Sequence, residues 1–123
     1  MEYSILNTIK KMLGLDANYT AFDTDIIVHI NSALMTLTQL GVGSPSGFSI
    51  TSSLATWQDF IGTASDLEAI KSFIYLKTRL AFDPPATSFV LEAIKAMISE
   101  YEWRINVQVD TEPLPLEGGS TSE

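Results

Sequence analysis

SDLEAIKSFIYLKTRLAFDPPATSFVLEAIKAMISEYEWRINV, residues 65–107, decides the fold. It opens with Ser65 and Glu68, a hydroxyl and a carboxylate three residues apart. That is the spacing of a capping box, in which each side chain meets the other's backbone N–H. A helix from near Asp66 to about Phe82 follows from it. Asp83-Pro84-Pro85 then stops the helix, because proline disfavours helical geometry in the residue before it. Thr87 or Ser88 caps a further helix reaching about Val107. Asp83, Pro84 and Pro85 should form a rigid corner that turns the two helices into an antiparallel pair.

The last helix has two apolar faces. Val90, Ile94, Met97, Ile98, Tyr101 and Ile105 make the main stripe. Phe89, Ala96 and Trp103 recur every seven residues on the other side, and Val107 adds one more turn there. Either this helix is central, covered on both sides within the monomer, or its second face meets another subunit. A small domain rarely buries a helix all round, and tryptophan is enriched in interfaces. Glu100 and Arg104 form an i,i+4 pair in the favoured order.

Upstream, Tyr3 to Leu13 reads as a first helix, with Ile5, Ile9, Met12 and Leu13 on one face and Gly14 as its stop. Asp23 or Thr24 caps a second helix running to about Leu40, striped by Ile26, Ile30, Ala33, Leu34 and Leu37. Gly41 and Gly43 end it. Residues 41–53 are rich in Gly, Ser and Pro and read as a long excursion, in which Phe48-Ser-Ile50 alternates as one short strand would. Trp57 to Ile61 is a short helical turn closed by Gly62, its Trp57 and Phe60 serving either core or interface. The fold class is therefore all-α: four main helices plus a short middle one. Residues 1–109 form the helical domain. Residues 110–123 hold two prolines, two glycines and acids without a base, the composition of a flexible acidic tail.

With 46% hydrophobic residues in 123, one core is within reach, but not two domains. No cysteine is present, which removes disulfides, thiolate metal sites and thiol nucleophiles together. Lys10 and Lys11 follow the first apolar residues instead of preceding them, the wrong order for a secretory leader. No apolar run is long enough to span a bilayer. The net charge is −8, and Asp110, Glu112, Glu117 and Glu123 supply half of it. A sequence-specific DNA reader needs a basic face, and none is visible.

Chemical candidates fail on their partners. Asp16, Asn18 and Thr20 start like a calcium loop, but that loop requires Gly at its sixth position and a bidentate Glu at its twelfth, where Ala21 and Ile27 stand. Turn formation accounts for the same side chains. His29 is the only histidine. Asp25 lies one turn before it, and no ligand set accompanies the pair. Asp23 and Asp25 suit a helix start, where negative charge is favoured. Gly41-Val-Gly43 follows a helix instead of opening one, so it does not cradle phosphate. Nucleophile, base and orienting group do not converge, so no catalytic residue, cofactor or metal is expected.

Several stretches are similar to phage head–tail connector (adaptor) proteins of long-tailed double-stranded DNA bacteriophages. They are SILNTIKKMLGL at 4–15, FDTDIIVHINS at 22–32, LGVG at 40–43, TWQDF at 56–60, KSFIYLKTRLAFDPP at 71–85, SFVL at 88–91 and EWRINV at 102–107. The resemblance covers nearly all of residues 3–109, and its most distinctive parts are the Phe82-Asp-Pro-Pro corner and the Trp103-Arg-Ile-Asn ending. It implies a structural subunit in the virion neck, assembled in the bacterial host cytoplasm as a ring of about a dozen copies beneath the portal protein. Such a ring extends the channel through which DNA passes without sequence-specific binding, and offers a platform to the next neck or tail-completion protein. Phe89, Ala96, Trp103 and Val107 would serve subunit contacts, and Leu114 and Leu116 in the tail would reach the portal. The alternative is a small helical regulatory or protein-binding module, dimeric through the second face of the last helix.

Overall fold

The computed structural model describes residues 3–61 and 67–111. Among them are five helices: α1 (Ile5–Met12), α2 (Asp23–Gln39), α3 (Trp57–Ile61), α4 (Leu67–Phe82) and α5 (Ser88–Thr111). The class is all-α as the periodicities require. Residues 62–66, with Gly62, Ser65 and Asp66, lie outside the described residues, as do 112–123.

The local chemistry sets most boundaries. Ser4 caps α1, its Oγ accepting from the Asn7 N–H at 3.1 Å. α1 and α2 end in one motif. Gly14 and Gly41 take φ of 86° and 98°, so that Leu15 N–H reaches the Lys10 carbonyl at 2.8 Å and Val42 N–H the Leu37 carbonyl at 2.9 Å. At the start of α2 the sequence expectation fails. Asp23 is already helical, Thr24 does not cap, and Phe22 holds the cap position with no side-chain hydrogen bond. The Asp23 carboxylate is instead engaged by Lys10, as described below.

α3 carries its own reciprocal cap. Thr56 Oγ1 accepts from Asp59 N–H at 3.1 Å, and Asp59 Oδ2 accepts from Thr56 N–H at 3.0 Å. Its tryptophan is buried and donates from Nε1 to Thr8 Oγ1 at 3.0 Å, while residues 3–5 and 55–57 run together in an isolated antiparallel bridge. Trp57 and Phe60 thus belong to the core.

The predicted strand at Phe48–Ile50 does not form. Asn31 of α2 takes the place of a neighbouring strand: its Oδ1 accepts from Ile50 N–H at 2.7 Å, and its Nδ2 donates to the Ile50 carbonyl at 2.9 Å. One amide side chain thereby satisfies both polar groups of a buried residue. Phe48 then stacks near Phe60, centroids 5.2 Å apart.

α4, not α5, is the central helix. It packs on α1, α2 and α5, and every residue from Ala69 to Leu80 is buried or half-buried. α5 gives only one side to the core, through Ile94, Ile98 and Ile105. Thr87 caps α5, with Leu91 N–H on its carbonyl at 3.0 Å, and the helix continues past Val107 to Thr111. Residues 83–87 are non-helical, and Asp83 N–H closes α4 on the Arg79 carbonyl at 2.8 Å. Phe22 and Phe82 meet edge to face at 5.4 Å, which sets the start of α2 against the end of α4. Val109 lies over Gly41, where an added Cβ would come within 2.9 Å of the valine Cγ1. These two contacts fix the directions: α4 runs against both α2 and α5, which run alike.

Candidate interaction surfaces

The outer face of α5 is the most exposed apolar surface of the long helices. Phe89 is 83% exposed and Trp103 66%, with exposed Ala96 between them and Val107 one turn beyond Trp103. Among the described residues this face is exposed, and α5 gives only its other side to the core. Two ion pairs flank it, Lys95 to Glu92 at 3.6 Å and Arg104 to Glu100 at 2.7 Å. Both are exposed and contribute little stability. Leu114 and Leu116 lie outside the described residues.

α2 carries a second apolar strip that its buried stripe does not announce. Val28 is 59% exposed and Met35 62%, seven residues apart on the side of α2 away from its buried stripe. The signal was the same seven-residue step found in α5, obscured because only two positions carry it. Met35 also borders a trough of about 440 Å³ between α2 and residues 46–49.

A third cluster stands at the corner. Tyr19 and Phe22 are exposed rings 5.8 Å apart, and Phe22 continues to Phe82. Pro84 and Pro85 follow that ring directly in the chain.

The polar candidates have structural partners. Asp16 Oδ1 accepts from Asn18 N–H at 2.8 Å, an Asx turn. The next carbonyl, that of Ala17, accepts from Lys10 Nζ at 3.0 Å. The loop is thus built over an ammonium, which opposes a second cation there. Lys10 is 1% exposed, and its Nζ lies 2.8 Å from Asp23 Oδ1. His29 lines a shallow cleft of about 200 Å³ with Ser32, Lys77, Leu80 and Ala81. Among the described residues no three His, Cys, Asp or Glu side chains gather as a metal site would require, and no helix is long and apolar enough to cross a membrane.

The described residues form a small all-α domain with one buried core and apolar strips left outside it. The profile of the phage connector protein family matches residues 5–112. The chain belongs to that family, and its role is that of a structural connector in the neck of the virion, in contact with the portal and other virion proteins. No curated protein and no solved structure matched the chain.

Proposed function

We propose that this subunit assembles as a ring beneath the portal, extends the DNA channel and presents a platform to the next neck or tail-completion protein. The observation that carries this is the exposed Phe89–Ala96–Trp103 face, which lies outside the buried core formed by the described residues. Burying a large aromatic is worth about 1.5–3 kcal/mol relative to exposure, so a face with Phe89 and Trp103 gains from a partner. The net charge of −8 supports passage of DNA, since like charge keeps a polyanion from adhering to the channel. Assembly takes place in the host cytoplasm.

The acidic segment 110–123 is assigned to the portal. Leu114 and Leu116 supply apolar contact, and its acids supply orientation and on-rate. Many weak joints then act together, as a ring of copies allows.

The test measures particle mass and attachment to purified portal for the wild type, for Trp103→Ala and for a chain lacking 110–123. The Trp103→Ala subunit should keep its helical circular dichroism and lose rings. The truncated chain should form rings that attach poorly. Rings unaffected by Trp103→Ala, or attachment unaffected by the truncation, would sink the corresponding assignment.

A further inference from the structure

Rings require something that a two-fold pair does not. In a two-fold pair one patch meets itself, whereas in a ring one patch meets a different patch on the next copy. The subunit has two unlike apolar strips, Val28–Met35 on α2 and Phe89–Ala96–Trp103 on α5. Their helices flank the central α4 and run in the same direction. Rotation about an axis along these helices keeps all of them parallel, so α5 of one copy is oriented to lie beside α2 of the next. Both strips advance by seven residues, so one register brings Met35 to Trp103 and Val28 to Ala96 together. The thioether then meets an aromatic ring, a favourable contact, and the small Ala96 lets the two helices approach closely.

The area points the same way. The contact can be no longer than α2, whose 17 residues span about 26 Å at a width of about 10 Å. One such strip covers roughly 250 Å² per partner, against the ~800 Å² per partner of a stable pair. A single contact is therefore insufficient, and closure, in which each copy is held on both sides, adds a second contact that acts together with the first.

We infer that the occupant of the Val28–Met35 strip is the outer face of α5 from a second copy of this chain, in parallel orientation. This rests on the ring reading above and names its contact. The chain has no cysteine, so engineered thiols report without background. Val28→Cys and Ala96→Cys are introduced together and separately, and assembled protein is treated with a short bis-maleimide, which adds one cysteine thiol at each end. The double variant should give a ladder of covalent multimers, and neither single variant should exceed background. A covalent dimer from Ala96→Cys alone would overturn the inference in favour of a two-fold contact. Rings of unchanged mass without a ladder would overturn it while leaving ring formation intact. Absence of rings in wild type with portal would remove both.

Discussion

Lys10 brings an ammonium into the core with its charge answered twice, by the Asp23 carboxylate and by the Ala17 carbonyl. It thereby fastens α1, the loop 13–22 and the start of α2 at one point. The two partners are not equally enclosed: the Lys10 side chain is 1% exposed, whereas Asp23 keeps 27%. Breaking a buried pair costs about 3–5 kcal/mol when the remaining charge is stranded. Asp23→Asn strands the enclosed ammonium and should reach that range. Lys10→Met leaves Asp23 with its Oδ1 enclosed and the rest of the carboxylate open to water, and fills the space with a chain of similar length, so it should cost less. Urea unfolding of both variants gives the order, and the reverse order would show that the carboxylate is the charge that needs its partner more. Nothing in the sequence marked Lys10. It sits beside Lys11 at a helix end, where two lysines ordinarily face water, and only the return of the chain through residues 13–22 closes over it.

At the scale of elements, α4 and α5 meet through the corner at Asp83-Pro84-Pro85. Each proline restricts the unfolded chain, which is worth about 0.4–1 kcal/mol where the fold accepts it. Replacing both by alanine should lower the melting temperature by several degrees, at roughly 4–8 °C per kcal/mol for a domain of this size. An unchanged melting curve would mean that the packing of Phe82 on Phe22 holds the corner unaided. The corner, the glycine stops and the stripe of α2 were legible because each depends on neighbours within a few residues, whereas the expected stripe of α5 is buried at Ile94, Ile98 and Ile105 and exposed at Val90 and Met97. The supposed strand was not, since its partner is one side chain nineteen positions upstream, Asn31. Which long helix is central was also hidden. Lys71, Ser72, Lys77 and Arg79 give α4 a polar appearance, yet all are half-buried. The second apolar face of α5 was legible as a pattern, but periodicity does not tell whether a face is covered.

For the whole molecule, the two tryptophans separate interior from exterior. Trp57 is enclosed and hydrogen-bonded to Thr8, and Trp103 stands in solvent. In the free subunit acrylamide should quench a red-shifted component that Trp103→Phe removes. On assembly that component should shift to the blue and become resistant, while Trp57 emission stays constant. Persistent quenching of Trp103 in assembled particles would place subunit contacts elsewhere on the surface.

The directions of the helices carry one more consequence. Phe22, Phe82 and the prolines stand at one end of the layer. Val109, the glycine turn after α2 and the last residues of α5 stand at the other. In the proposed ring, with its axis along the helices, every copy would show its proline end to one side and the end of α5 at Thr111 to the opposite side. Such a collar has an up and a down built into each subunit. On the ring proposed above, the two ends would distinguish the capsid side from the tail side, and a copy inserted upside down would find neither of its neighbours' strips in register.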